Sequence, residues 1–202
     1  MSRVLLVNPP FYRTWGSHYN GMSLGLSYIA SALNAAGHDA WVYNADFSPD
    51  RQYKTLHQIF EDYDSGNLDF TIASPCIREC VDNIVAFGPD WVGYTGYTAV
   101  LPVLATVTRE VRSETRAKQV VGGPHATLDP DTESLLPDAD FVVRGEGERA
   151  MLDLVGGLIP WKRTVQAARI TDLDSLPFPE RVKFWPPSGA PADVSYLSTA
   201  RG

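Results

Sequence analysis

The chain has 202 residues, 44% of them hydrophobic and 20% charged, enough for one well-cored domain and a tail but not for a second full domain. Its apolar runs, such as Val4 to Val7 and Val100 to Val107, fall far short of the roughly 18 residues that cross a bilayer, and Pro9-Pro10 cuts off any signal-peptide core. A net charge of -7 with no Lys/Arg cluster excludes a general nucleic-acid binder, and two cysteines give no disulfide framework, so the chain reads as soluble and cytoplasmic.

Apolar, β-branched runs alternate with longer segments of helical period, the pattern of βαβ units in a parallel sheet. Arg3 to Val7 reads as a buried first strand, ended by Asn8-Pro9-Pro10 because proline cannot donate to a ladder. After a loop to about Gly21, the residues Met22, Leu26, Ile29, Ala30 and Leu33 repeat at helical spacing, and Gly37 stands where a C-terminal cap glycine belongs. Ala40 to Tyr43 is the second strand. Arg51 to Asp64 reads as an amphipathic helix with Tyr53, Leu56, Ile59, Phe60 and Tyr63 on one face, inserted beside the regular alternation.

Cys76 to Phe87 is the next helix, broken by Gly88-Pro89-Asp90 before the strand Trp91 to Tyr94. Ala99 to Arg116 carries the longest helical pattern, with Pro102 tolerated in its first turn. Lys118 to Val121 gives a fourth strand, Asp131 to Leu136 a short helix, Asp140 to Val143 a fifth strand and Glu148 to Val155 a closing helix. The expected fold is α/β: a doubly wound, Rossmann- or flavodoxin-like sheet of five parallel strands with helices on both faces, complete by residue 157. Residues 158–202, with Pro160, Pro177, Pro179, Pro186, Pro187 and Pro191, read as a proline-rich connector, and Ser195 to Leu197 as the start of a further strand.

In an open parallel sheet, ligands bind beyond the carboxyl ends of the strands, near the point where the strand order reverses. The loops Asn8 to Gly21, Thr95 to Thr98, Gly122 to Thr127 and Arg144 to Glu148 therefore frame the candidate site. Gly122-Gly123 is either a tight turn or a close approach of backbone to ligand. Thr95, at the end of the third strand, faces the same crevice as that double glycine at the end of the fourth. A small hydroxyl on one strand and missing side chains on its neighbour suit a cofactor with a nucleotide tail.

Five segments in one order carry a resemblance: the first strand with Asn8-Pro9-Pro10, Met22-Ser-Leu-Gly-Leu26, Val92-Gly-Tyr-Thr-Gly96, Val121-Gly-Gly-Pro-His-Ala-Thr127 and Val143-Arg-Gly-Glu-Gly-Glu148. With them the chain resembles the amino-terminal cobalamin-binding domain of the cobalamin-dependent radical S-adenosylmethionine enzymes. Ile170 to Arg181 resembles that family's connector, and Tyr196 to Gly202 the strand before its cluster-binding cysteines. The resemblance implies cobalamin as cofactor, its tail between sheet and helices and its corrin over the strand ends. Thr95, Gly96, Tyr97 and Thr98 would line the tail or corrin edge, and Gly122, Gly123, Pro124 and His125 would form the double-glycine loop against the ligand. Gly145 and Glu146 would border the same cleft, and Asn8, Pro9, Pro10 and Phe11 would belong to the loop over the corrin. S-adenosylmethionine and a 4Fe-4S cluster would belong to a radical domain in cis beyond Gly202, leaving this chain to bind but not to catalyse. Methyl transfer is the commonest reaction the family suggests, with rearrangement and cyclisation beside it.

The wider cobalamin-binding class carries an Asp-x-His-x-x-Gly signature after the first strand. It is absent here, since His18 follows Gly16-Ser17, so no axial protein histidine is expected. Cys76 and Cys80 are spaced like two cluster cysteines, but the third position is Asn83, and they read as helix residues one turn apart. Glu146 and Glu148, alternate residues in a turn, read less as an acid–base pair than as one of them capping the following helix. His125 either holds its turn or touches the ligand, while His38 and His57 are expected to face solvent. Trp91 and Tyr94 belong to the core, and Tyr97, past the strand end, does not. Two other readings are the acceptor half of a nucleotide-sugar glycosyltransferase, suggested by the first strand, loop and helix, and a stand-alone cobalamin carrier or sensor.

Overall fold

A computed structural model describes residues 1–49, 53–159, 163–179 and 183–187. In chain order it contains β1 (Arg3–Asn8), α1 (Phe11–Thr14), α2 (Leu24–Ala35), β2 (Asp39–Asn44), α3 (Leu56–Asp64), α4 (Pro75–Phe87), β3 (Trp91–Thr95) and α5 (Leu101–Glu114). There follow β4 (Lys118–Gly122), α6 (Pro124–Leu128), α7 (Thr132–Leu135), β5 (Phe141–Arg144), α8 (Gly147–Val155) and β6 (Thr164–Gln166). The strand Ser195 to Leu197 and the segment Tyr196 to Gly202 lie outside the described residues.

The strands form one parallel sheet in the order β2-β1-β3-β4-β5-β6. Because side chains alternate between faces, each strand feeds two cores. Leu5, Val7, Val92, Tyr94 and Val121 point toward α4 and α5, where Ile77, Ile84, Val103, Leu104 and Val107 complete one cluster. Val4, Leu6, Val120 and Val143 point the other way, against Leu26, Ala30 and Leu33 of α2 and Met151 and Leu154 of α8. Burial on both faces explains why the strands read as unbroken apolar runs.

The sheet has six strands rather than the five expected. The sixth comes from the stretch read as connector: Val165 pairs with Val143, and it alone of the three β6 residues is buried. An edge strand of three residues with one inward side chain offers no alternation to detect. The same stretch also returns to the opposite edge of the sheet, where Phe184 bridges Val42 of β2.

Helix ends follow their chemistry. Gly37 takes a φ of 84° after α2, and the His38 N–H reaches back to Leu33 O at 3.0 Å. Thr55 opens α3 with a capping box, its hydroxyl accepting from Gln58 N at 3.3 Å while Gln58 Oε1 accepts from Thr55 N at 2.8 Å. The helix expected from Arg51 begins at Leu56, after the Thr55 cap, so Tyr53 precedes it and Arg51 lies outside the described residues; Leu56, Phe60 and Tyr63 remain largely exposed, and Tyr63 stacks on Trp15. His38 is half-buried and accepts from Ser2 N at 3.3 Å rather than facing solvent, whereas His57 is exposed. Trp91 stacks on Phe141 in the core, and the buried Tyr94 donates to Gln119 at 2.8 Å.

Candidate functional site

The chain leaves β1 toward β2 on one side, and β3 lies on the other side of β1, so the strand order reverses there and the following loops diverge into a crevice. On the far side of that crevice the loops are stitched together. The Gly96 N–H donates to Gly122 O at 2.8 Å and the His125 N–H to Gly96 O at 3.0 Å. Thr98 Oγ1 lies 3.1 Å from His125 Nδ1, and the Gly145 N–H donates to Thr127 Oγ1 at 3.0 Å. A rigid rim thus runs along the ends of β3, β4 and β5.

Below the rim, a cavity of about 390 Å³ runs between the sheet and the start of α2 and α8, within the ~300–1,000 Å³ range of small-molecule sites. Its floor is Leu6, Gly93, Val120 and Val143; Ser23, Gly25 and Tyr28 close it from α2, and Gly147, Glu148 and Met151 from α8. Of the residues expected from sequence, Thr95, Gly122, Gly123, Pro124, Gly145 and Glu146 line it. Two positions at this floor carry no side chain. At Gly93 a Cβ would come within 2.8 Å of Leu6 Cδ2, and Gly122 carries none above Val143.

A second recess, of about 410 Å³, opens at the strand ends and shares Ser23, Leu24 and Thr95 with the first. Asn8 and Tyr97 line it, as expected, together with Tyr12, Tyr19 and Met22. Tyr97 donates to Asn8 Oδ1 at 3.3 Å, and burial, followed by the neighbouring Asp46, pushes its phenol up to about 12. Thr98, Pro124 and His125 line a further recess with Tyr97, and Pro124 thus borders two cavities.

The remaining expected residues support these walls. Gly96 is buried inside the stitched rim. Phe11 packs edge-on to Tyr97, with ring centroids 6.3 Å apart, and Pro9 accepts the Phe11 N–H at 2.8 Å; Pro10 precedes α1 as its cap position. Gly123 takes a φ of 100°, and a Cβ there would meet Gly96 N and O at 2.9 Å, so the bare Cα is required by the rim itself. His125 is buried, and both its backbone and its ring tie the β3 and β4 loops together. Glu146 stands at the N-cap of α8 without capping it: its carboxylate accepts the Ile170 N–H at 2.5 Å and tethers the chain after β6.

His18 stacks on Tyr53 and lines neither cavity. Cys76 and Cys80 are buried on α4, where burial pushes both thiols up. The contributions of α2 and α8 and of Gly93 were not singled out as ligand contacts from sequence. A glycine inside an otherwise β-branched strand was the available signal.

The B12 binding domain family matches residues 17–155. An uncharacterized methyltransferase of Pyrococcus horikoshii is 32% identical over 162 residues, covering 77% of this chain and 29% of that protein. The anaerobic magnesium-protoporphyrin IX monomethyl ester cyclase of a Synechocystis species is 29% identical over 161 residues, 77% of this chain and 28% of its own. The chain thus spans less than a third of the length of either relative. Among solved structures, the radical S-adenosylmethionine methyltransferase TsrM from Kitasatospora setae, with cobalamin and a 4Fe-4S cluster bound, shares the fold: TM-score 0.51, 21% identity, 78% of this chain and 25% of that one.

Proposed function

This chain belongs to the B12 binding domain family, and on that premise we propose that it holds cobalamin with the nucleotide tail in the channel between sheet, α2 and α8 and the corrin over the recess at the strand ends. The observation that carries the placement is the glycine-floored channel. It descends from the strand ends, is apolar below through Leu6, Val120, Val143 and Met151, and becomes polar at its mouth through Ser23 and Thr95. Such a lining accepts a flat aromatic base at depth and leaves polar linkages near the surface. Gly122, Gly145 and Gly147 give the backbone access a bulky tail needs. Asn8, Tyr12, Tyr19 and Tyr97 would face the corrin, with Phe11 supporting Tyr97 from behind. The family match takes in every lining residue of the two cavities except Leu6, Asn8 and Tyr12, and favours cobalamin over a nucleotide sugar.

Cobalamin supplies a cobalt that carries a methyl group or an electron; this domain's part is to bind, shield and orient it. Residues 1–157 would form the binding domain and 158–202 its connector, which the tether from Glu146 to Ile170 joins to the site. The parent activity would be that of a cobalamin-dependent radical S-adenosylmethionine enzyme, a methyltransferase or a related rearrangement enzyme. S-adenosylmethionine and the cluster would bind a domain in cis, since Cys76 and Cys80, the chain's two cysteines, are buried in α4. Among the described residues no helix is long and apolar enough to cross a membrane, and a cytoplasmic location without a nucleic-acid partner fits the acidic composition.

The test is direct. The purified chain is mixed with hydroxocobalamin, desalted, and its visible spectrum recorded before and after reduction. Retained corrin absorbance in stoichiometric amount is expected, and none in either cobalt oxidation state would overturn the proposal.

A further inference from the structure

Three phenols, Tyr12, Tyr19 and Tyr97, wall the recess at the strand ends, and one buried residue, Asp46, connects to the segments that carry them, through its carboxylate for Tyr12 and Tyr97 and through its main chain for Tyr19. Asp46, fully buried just past β2, accepts the Arg13 N–H at 3.1 Å and so holds the α1 turn that carries Tyr12. Its main-chain oxygen accepts the Tyr19 N–H at 3.0 Å. Its Oδ2 lies 3.5 Å from Asn8 Nδ2, and Asn8 Oδ1 in turn accepts the Tyr97 hydroxyl at 3.3 Å. Buried Asn44 closes the network, accepting from Asn8 Nδ2 at 2.9 Å and donating to Tyr19 O at 2.6 Å.

We propose that Asp46 is a positioning residue for the cobalamin recess: its ionised form holds Tyr12, through the α1 turn, and Tyr97, through Asn8, in the binding arrangement, so that cobalamin affinity follows the charge on this one side chain. The proposal rests on the cobalamin reading above. A carboxylate accepts backbone N–H groups about twice as strongly as a neutral acceptor does. Protonation spends one oxygen as a donor and removes the charge that faces the α1 N–H groups and Asn8 Nδ2.

The charged and titratable groups facing Asp46 are Arg13 of α1, itself paired with Glu79 of α4 at 2.7 Å, Cys76 and Cys80 of α4, and Tyr97 after β3. Burial pushes both thiols and the phenol upward, away from neutrality, and Arg13 stays cationic. Burial brings Asp46 up to about 7, against the opposing pull of the Arg13 and Tyr12 N–H groups. Of this group, the carboxylate is the one that changes charge near neutral pH.

The experiment uses the whole 202-residue chain and methylcobalamin, which carries no water ligand to titrate in this range. Equilibrium dialysis between about pH 6 and pH 8 should show affinity rising about tenfold with pH, the increase in the ionised fraction of a group titrating near 7. Asp46→Asn should flatten the profile, and His18→Gln, which removes the imidazole beside Tyr19 in the chain, should leave the slope in place. A flat wild-type profile, or a slope that survives in Asp46→Asn, overturns the inference while leaving the cobalamin reading intact; no binding by the wild type at any pH overturns both. If Asp46→Asn does not fold, the NMR titration of the Asp46 carboxyl carbon decides. By reciprocity methylcobalamin must lower its midpoint, and an unmoved midpoint overturns the inference.

Discussion

Gly93 of β3 lies beside Leu6 of β1 in the parallel ladder, and a Cβ on it would come within 2.8 Å of Leu6 Cδ2 and 3.5 Å of Met151 Cε. The channel floor is therefore backbone because its two neighbours already fill the space that a side chain would take. Gly93→Ala should overpack this point and cost about 1–3 kcal/mol of stability, with weaker cobalamin retention. Urea midpoints and the desalting assay measure the two effects, and an unchanged midpoint would show that Leu6 yields freely.

Gly122 and Gly123 separate ligand exclusion from strain. A Cβ on Gly122 meets nothing closer than Val143 at 3.8 Å, and the residue sits in an ordinary strand. Gly122→Leu should keep the wild-type melting temperature within a few degrees, a stability change of under about 1 kcal/mol, and lose cobalamin by filling the channel. Gly123→Ala, at a φ of 100° and 2.9 Å from the Gly96 backbone, should cost about 1–3 kcal/mol with or without ligand. Retention of cobalamin by Gly122→Leu would place the tail elsewhere.

What the sequence made legible was whatever repeats or punctuates. Val4 to Val7, Val120-Val121 and Val142-Val143 announced buried parallel strands, Gly37 and Gly88 marked helix ends, and the loops at the strand ends followed from the fold. Short elements escaped because they complete no period: α1 and α6 have four and five residues, and β6 buries Val165 alone. The site was half legible for a similar reason. Residues at the strand ends, such as Thr95 and Gly122, stand out by composition. The channel walls on α2 and α8 look like any helix that packs on a sheet, and the support for Tyr97 depends on Asp46, which lies 51 positions earlier and meets it only through the pairing of β1 with β2.

Asp46 also makes a prediction for the ligand-free domain. Its folded value near 7 lies above the ~3.9 of an unfolded aspartate. Between those values the native state holds a proton that the unfolded chain has released, so this group's contribution to stability declines as pH rises from about 4 to about 7 and is constant above. Asp46→Asn carries no such decline, and its stability relative to wild type should improve between about pH 5 and pH 8. Urea midpoints of the two proteins across that range test this; parallel curves would show that Asp46 is already ionised at pH 5.

Gln119 is fully buried in β4 and ties β3 to α5 on one face of the sheet, accepting from the Tyr94 hydroxyl and donating to Thr108 O, each at 2.8 Å. Gln119→Leu strands the Tyr94 hydroxyl and removes the amide's bonds to Thr108 O and Asp138 O, and should cost about 2–4 kcal/mol, while Tyr94→Phe leaves only the amide oxygen short and should cost about 1–2 kcal/mol. Adding Tyr94→Phe to Gln119→Leu should then cost little further, because the unsatisfied hydroxyl is removed with it. A double-mutant cycle measured by urea unfolding gives the coupling, and strict additivity would mean that the bond contributes nothing.

Glu146 lines the channel while its carboxylate accepts the Ile170 N–H at 2.5 Å, and a Cβ on the adjacent Gly145 would lie 3.2 Å from Ala167 O. The segment after β6 is thereby pressed against the rim that Thr127 and Gly145 form. Removing the acceptor in Glu146→Ala leaves β6 with a three-residue ladder on one side as its main attachment. Limited proteolysis should therefore cut within residues 167–176 several-fold faster than in wild type, an opening that a lost charge-assisted bond of about 1.5–3 kcal/mol permits. Glu146→Gln keeps an acceptor oxygen and should fall between the two, with cobalamin retention near that of wild type. Cobalamin loss in Glu146→Gln without faster cleavage would reverse the assignment, making Glu146 a ligand contact and the bond to Ile170 incidental.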